Sequence, residues 1–110
     1  MVNSFKQGQI VVMNFDPKDG HEQGGKRPAV VVSNDIKNQY DNMTMVCPIT
    51  SHDKKHPFHI KLDDRTNTQG VILCNHVRSL DLKARGAYVV EDLPSDILEE
   101  VITLIKQFIE

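Results

Sequence analysis

Six short apolar segments, separated by polar turn residues, constrain this chain more than any other feature of its sequence. They cover residues 9–15, 29–33, 44–50, 58–62, 70–78 and 86–91, and are rich in Val, Ile and other strand-forming residues. In the fourth segment, Phe58, Ile60 and Leu62 alternate with His59 and Lys61, which is the period of a half-buried strand. So many short strands in one short chain predict a small, mostly antiparallel β-barrel.

The last segment changes period. From about Pro94 to the end of the chain, apolar residues recur every three or four positions, which predicts a helix with one wide apolar face. These residues are Ile97, Leu98, Val101, Ile102, Leu104, Ile105, Phe108 and Ile109. We expect Ser95 and Asp96 to serve the free N–H groups of its first turn. The predicted fold class is therefore mainly β, with a C-terminal helix that covers the barrel.

Proline, the turn residues and the two cysteines add detail to this predicted fold. Pro48 lies near the end of the third segment, where a missing ladder donor requires an edge strand or a bulge. Turns are predicted at residues 34–35 and 63–70. Cys47 and Cys74 lie inside apolar runs and form no CxxC pattern, so we expect small core residues and neither a disulfide nor a redox or metal pair.

Length and charge restrict the function. The 110 residues suit one domain, residues 1–110, and no stretch resembles a signal peptide or a membrane span, which predicts a cytoplasmic protein with no membrane partner. The net charge is −2, but residues 1–90 hold 12 Lys or Arg against 9 Asp or Glu, whereas residues 91–110 hold 1 against 6. This balance does not suit tight binding of duplex DNA, whereas a mildly basic body is compatible with a short single-stranded ligand.

A glycine-rich loop, predicted at residues 20–28 between the first two strands, carries His21, Glu22 and Arg27. A loop with an acid, a base and a fixed cation is typical of a functional site. The fork of Arg27 matches two phosphate oxygens, and His21 can act as acid or base at neutral pH. Glu22 either orients His21 or Arg27 or is an ordinary exposed carboxylate. These groups indicate a phosphate or phosphodiester substrate.

A second polar segment follows the third strand. Thr50 and Ser51 can donate to a phosphate oxygen, although such hydroxyls also cap turns. Residues 52–61 concentrate histidines and lysines around Phe58, which suits single-stranded nucleic acid, because a base can stack on the ring while cations follow the backbone. Phe58 is equally explained as the first core residue of its strand. A zinc site is disfavoured because well-spaced thiolate or carboxylate ligands are missing.

Six motifs, taken together and in this order, resemble the MazF/PemK (Kid) toxins over nearly the whole chain. They are Gly8-Gln9-Ile10, Phe15-Asp16-Pro17, Gly20-His21-Glu22-Gln23, Arg27-Pro28-Ala29 with the Val30–Ser33 run, Pro48-Ile49-Thr50-Ser51 and Ala84-Arg85-Gly86.

The resemblance implies a toxin of a type II toxin–antitoxin pair with a small SH3-like barrel of the MazF/CcdB/Kid type. It implies a homodimeric endoribonuclease, an mRNA interferase, which cuts single-stranded RNA without a metal or other cofactor and leaves 2′,3′-cyclic phosphate and 5′-OH ends. The partner it implies is a cognate antitoxin whose acidic C-terminal segment binds the RNA groove.

The resemblance also assigns residues. The family's catalytic arginine and threonine fall on Arg27 and Thr50, and the histidine of its plasmid-borne branch falls on His21. Around these, we expect the loops at residues 16–27, 50–58 and 75–78 to hold RNA bases. The residues predicted to bind RNA are Glu22, Gln23, Lys26, Ser51, Lys54, Phe58, Asn75, His76 and Arg78.

Two departures from the family pattern bear on activity. Many relatives have Asp-Gln where this chain has Asn75-His76, and the plasmid-borne branch has a catalytic arginine where this chain has Leu73. Because Asn75 cannot act as a general base, Arg27 is left as the proton-transfer or charge-stabilising group, and His21 or His76 becomes a candidate for acid–base function. Two alternatives stay open at this stage: a CcdB-like toxin that binds gyrase, and a catalytically inactive relative that binds RNA or antitoxin.

Overall fold

A computed structural model describes residues 4–110. Over these residues the strands are β1 Gln9–Asn14, β2 Lys26–Val31, β3 Thr44–Thr50, β4 His59–Lys61, β5 Val71–Leu73, β6 Arg78–Leu80 and β7 Tyr88–Asp92. The helices are α1 Asp35–Tyr40 and α2 Ser95–Gln107, and Cys74–His76 forms a 3₁₀ turn. The strands pair antiparallel in the order β4-β5-β3-β2-β1-β7, and β6 pairs with β3. The predicted fold class, mainly β with a C-terminal helix, is confirmed.

Alternating side chains give the sheet two apolar faces. Helix α2 covers one face with Ile97, Val101 and Ile105, which are almost fully buried against the strands. The other face carries a smaller cluster: Val11, Met13, Phe15, Ala29, Val31, Val46, Leu80 and Leu82. Within residues 4–110, no helix has the length and apolar content needed to cross a membrane.

Cys47 and Cys74 are free and buried in the cluster beneath α2, so their predicted role as core residues is confirmed. Burial raises the pKa of the Cys74 thiol to about 12 and that of Cys47 further still. Both thiols therefore stay protonated and behave as small apolar groups.

The predicted strand at residues 70–78 is wrong in one respect, because it is two strands separated by the 3₁₀ turn. Strand β5 pairs with Ile49 and Thr50, whereas β6 pairs with Thr44–Val46, so the chain must turn between the two halves of β3. Pro48 lies between these two pairings. Although β3 is an interior strand and not an edge, the missing N–H of Pro48 falls where one neighbouring strand has ended and the next has not begun.

The predicted loop at residues 20–28 is wrong at its end, since Arg27 and Pro28 already belong to β2. The reversal is completed by Gly24 and Gly25: Gly25 has a φ of 77°, and its N–H donates to Asp16 Oδ1 at 2.8 Å. Phe15 N–H donates to Gly25 O at 2.9 Å, which fixes the base of the loop. Arg27 is thus held by a strand and not by a mobile loop.

Two helix starts also differ from expectation. Residues 34–35, predicted as a turn, begin α1, because the Asn34 side chain caps it by accepting from Lys37 N–H at 2.9 Å. The N-cap of α2 is Pro94, which provides no side-chain cap. Asp96 instead accepts two hydrogen bonds from Arg65, at 2.8 and 3.0 Å.

We expect Gly70→Ala to destabilise the fold by about 3 kcal/mol, because Gly70 has a φ of 122° and a Cβ there would lie 2.2 Å from the carbonyl oxygen of Thr50. Urea unfolding should be compared with Gly86→Ala. Gly86 also has a positive φ, of 67°, but a Cβ there meets no heavy atom within 4 Å, so its cost should be about 1 kcal/mol. Equal losses for the two variants would refute the steric argument.

Candidate functional site

Strand register brings Arg27, Thr50 and His59 together on the sheet face that α2 does not cover. Ala29 pairs with Pro48, and continuing this antiparallel register by two residues places Arg27 opposite Thr50. His59 pairs with Leu73 on the neighbouring strands. Directly opposed residues share a face of the sheet, so these side chains converge. They line one cavity of about 340 Å³.

Four further predicted residues line the same cavity, namely His21, Gln23, Lys54 and His76. A second cavity, of about 310 Å³, shares His21, Gln23 and His76 with the first. It adds three more of the predicted residues: Glu22, Asn75 and Arg78. We call the two adjoining cavities the site groove. Its walls are the loop between β1 and β2, the loop after β3 and the 3₁₀ turn.

Arg27 and Thr50 are held firmly at the floor of the groove. Arg27 Nε donates to Gly24 O at 2.9 Å, and its two terminal nitrogens make no hydrogen bond within residues 4–110. They can therefore donate to a pair of anionic oxygens. Thr50 is only 7% exposed, and its Oγ1 accepts from His52 N–H at 3.3 Å, which leaves the hydroxyl proton free to donate to a ligand.

Glu22 forms no side-chain hydrogen bond or ion pair with either of its predicted partners, Arg27 and His21, in the part of the chain that the structure describes. It accepts from Arg78 Nη1 at 3.3 Å and from Asp19 N–H at 3.2 Å. An exposed pair of this kind contributes little stability. It does link the loop between β1 and β2 to β6 across the groove.

Arg85, from the Ala84-Arg85-Gly86 motif, has a structural role that the sequence did not indicate. Its Nη1 donates to the carbonyl oxygens of Asn14 and Asp16, at 3.1 and 3.0 Å. These bonds fix the start of the same loop, which carries His21 and Gln23 into the groove.

Three of the predicted RNA-binding residues do not line the site groove. Lys26 lies next to Arg27 in β2, so its side chain leaves the opposite face, where Nζ lies 5.5 Å from the centre of the Tyr88 ring. Ser51 is exposed just beyond Thr50. The ring of Phe58 packs edge-on against Phe108 after α2, at 4.8 Å between ring centres.

His52, His59 and Leu73 line the groove but were not among the predicted site residues. For His59 the sequence held a usable signal, because its alternation with Phe58 and Ile60 placed it on the polar face of β4. Only the pairing of β4 with β5 shows that this face looks into the groove and not into open solvent.

Two of the groove histidines, His59 and His76, have a lowered pKa. Burial lowers the pKa of His59, and the nearby His56 and His76 lower it further. Burial also lowers the pKa of His76, against the opposing effect of Glu22. Within residues 4–110, no group of three or more His, Cys, Asp or Glu side chains is arranged to hold a metal ion.

Comparisons of the sequence and of the fold with known proteins identify one toxin family. Residues 6–109 match the family described as the PemK-like, MazF-like toxin of type II toxin–antitoxin systems. The endoribonuclease PemK of Escherichia coli is 34% identical over 104 residues, which cover 91% of this chain and 78% of PemK. The crystal structure of MazF from Deinococcus radiodurans superposes with a TM-score of 0.91 at 38% identity and 96% coverage of both chains. The MazE–MazF complex of that organism contains a chain with a TM-score of 0.85, at 35% identity and 96% coverage of both chains.

We expect the free energy of unfolding to fall as the pH drops from about 7.5 to 5.5. His59 and His76 have a pKa near 6.5 in the unfolded chain and a lower one when folded, so in this window the unfolded state binds more protons. Carboxyl groups with a lowered pKa in the folded protein, such as Asp63 and Glu91, change the free energy of unfolding at lower pH than this window. Urea unfolding of the wild type and of the His59→Gln/His76→Gln double variant tests this. The same pH dependence in both proteins would contradict it.

Proposed function

The chain belongs to the PemK-like, MazF-like toxin family of type II toxin–antitoxin systems and is an endoribonuclease, and we propose that the site groove cleaves single-stranded RNA without a metal ion. The products on this proposal are a 2′,3′-cyclic phosphate and a 5′-OH end. The observation that carries it is the convergence of Arg27 and Thr50 in a groove lined by histidines. In the cell the substrate is mRNA, and the protein acts in the cytoplasm as one toxin domain.

Arg27 and Thr50 hold the scissile phosphate. The free Nη–H groups of Arg27 donate to its two non-bridging oxygens, and the Thr50 hydroxyl donates a further hydrogen bond. When the 2′-oxygen attacks phosphorus, these donors stabilise the additional negative charge of the phosphorane. Because both residues sit on paired strands, little reorganisation accompanies the reaction.

Two histidines transfer the protons. His76 is neutral at physiological pH, since burial lowers its pKa, and it takes the proton of the attacking 2′-OH. His21, on the facing loop, gives a proton to the 5′-oxygen as the P–O5′ bond breaks. Each such transfer typically contributes about 100-fold or more to the rate. This arrangement replaces the acidic residue that many relatives have at the position of Asn75.

The remaining groove residues bind the nucleotides that flank the cut. Gln23 and Asn75 present amides that can read base edges, and Lys54 and Arg78 face the backbone. Lys26, Ser51 and Phe58 lie just outside the groove, where they can contact RNA beyond it.

Two protein partners complete the proposal. A cognate antitoxin binds this protein, and the MazE–MazF complex of D. radiodurans supports such a partner. On this proposal, the antitoxin inhibits the toxin by placing its acidic C-terminal segment in the groove. The protein also acts as a homodimer. Since Ile97, Val101 and Ile105 are used in the chain's own core, the apolar surface left at this end of the molecule is Phe58, Phe108 and Ile109, and Ile109 is 80% exposed.

We expect Arg27→Ala to reduce cleavage at least about 100-fold, because the phosphorane loses its bidentate donor. Arg27→Lys should not restore it, since a point charge cannot form the fork. The measurement is incubation of a long defined single-stranded RNA with purified protein in EDTA, with 5′ ends mapped by primer extension.

Arg65→Ala provides the matched control, because Arg65 pairs with Asp63 and Asp96, away from the groove. It should cleave at the wild-type rate. Intact RNA after incubation with folded wild-type protein, or full activity of Arg27→Ala, would overturn the proposed function. Intact RNA together with trapped gyrase–DNA complexes would instead favour a gyrase-binding toxin.

A further inference from the structure

The Nδ1 atom of His59 is buried and has no hydrogen-bond partner within residues 4–110. One face of the ring stacks on His56, at 4.8 Å between ring centres. The backbone of His59 is fixed by the pairing of β4 with β5 and by donation of its N–H to His56 O at 3.0 Å. The other nitrogen, Nε2, is neither enclosed nor hydrogen-bonded to the described residues.

This environment fixes the charge state of His59. A protonated imidazole carries N–H groups on both nitrogens, so the charged form would bury an Nδ1–H group that has no acceptor. The neutral form is therefore favoured, and Nε2 is the ring nitrogen that can reach a ligand. A phosphate oxygen can only accept a hydrogen bond, so a bound phosphate selects the neutral tautomer that carries its N–H on Nε2. The lowered pKa of His59 agrees with this choice.

The charged groups around His59 do not change that assignment. Asp53, Lys54 and His56 lie on the preceding loop, and His76 lies on the 3₁₀ turn. His59 also borders a cleft behind β4 that is lined by Asp96, Glu99 and Glu100 of α2, and none of these carboxylates is hydrogen-bonded to the imidazole. None of these groups accepts a hydrogen bond from His59 Nδ1.

We propose that His59 is a catalytic residue that acts as a neutral hydrogen-bond donor, through Nε2–H, to a non-bridging oxygen of the scissile phosphate. The proposal rests on the ribonuclease function proposed above. His59 lines the same cavity as Arg27 and Thr50, the two residues that hold this phosphate. Its strand partner Leu73 also lines the cavity and has no polar group in its side chain.

The proton balance of the reaction does not involve His59. The 2′-OH proton passes to His76, the O2′–P bond forms, the P–O5′ bond breaks, and His21 protonates the 5′-oxygen. Throughout, His59 keeps its proton and shares it with an oxygen whose negative charge grows in the transition state. Donors of this kind accelerate the chemical step and affect ground-state binding little.

Two substitutions separate a donor from a proton-transfer group. In His59→Gln the amide nitrogen Nε2 is as far along the side chain as the imidazole Nε2, so it keeps a neutral donor. His59→Leu has a similar volume and can still pack on His56, but it has no donor. The substrate is the shortest RNA that contains a cut mapped for the wild type, and the binding probe is the same RNA with a 2′-deoxy nucleotide at the cut.

We expect His59→Leu to lower the single-turnover rate about 100-fold, with the affinity for the 2′-deoxy probe unchanged. His59→Gln should recover most of that loss and keep the wild-type pH–rate profile. Matching thermal transitions show that both variants fold. If His59→Leu does not fold, His59→Ala serves as the variant without a donor, and the same results are expected of it.

Three results would overturn the proposal. Equal impairment of His59→Gln and His59→Leu, with one limb of the pH–rate profile lost, would make His59 an acid or base. Weaker probe binding at an unchanged rate would make it a reader of an RNA base. Full activity of His59→Leu would remove it from the site. A wild type that leaves RNA intact is a different outcome, because it overturns the proposed ribonuclease function itself.

Discussion

The whole structure depends on strand β3, which must pair with β2 on one side and with β6 and then β5 on the other. This double pairing forces the chain between β5 and β6 into the 3₁₀ turn at Cys74–His76, because the two partner segments cannot run on as one strand. It gives Pro48 the one place in an interior strand where a missing N–H is tolerated. It also requires Gly70, since the chain that enters β5 passes so close to the Thr50 carbonyl that no side chain fits.

The same pairing creates the site. Thr50, the last residue of β3, pairs with Val71, the first residue of β5, and Arg27 lies opposite Thr50 on β2. Backbone hydrogen bonds between paired strands therefore position both residues. The loop between β1 and β2 is then held near them by two contacts. Arg78 donates to Glu22, and Arg85 donates to the carbonyl oxygens of Asn14 and Asp16. On our proposal, the two residues that hold the phosphate, Arg27 and Thr50, lie on paired strands, whereas Gln23 and Lys54, which contact flanking nucleotides, lie on loops. This division allows the sequence preference to change without disturbing the phosphate site.

The features that were predicted correctly are those that depend on short stretches of sequence. The apolar alternation located most strands, the change of period located α2, and the residue types at 21, 27 and 50 indicated phosphate chemistry. What could not be predicted depended on pairing between distant segments. Residues 70–78 form two strands because β3 pairs with two different segments. Asp96 accepts hydrogen bonds from Arg65, a residue distant in sequence, and does not cap α2. His59 read as a solvent-facing residue of β4 because alternation distinguishes two faces of a strand but cannot say what lies beyond either.

The two departures from the family pattern can be understood together. Leu73, which lines the cavity, stands where the plasmid-borne branch has an arginine, and its strand partner is His59, which on our proposal is a neutral imidazole. Replacing a fixed charge by a neutral donor weakens the attraction for any phosphate, so ground-state binding depends more on Arg27 and Lys54. A neutral donor still gains strength as charge accumulates on the oxygen it contacts, and in a half-buried cavity that gain is larger than in water. On our proposal, the groove binds RNA less strongly in the ground state and stabilises mainly the transition state. Stabilisation of the transition state is the contribution that raises a catalytic rate.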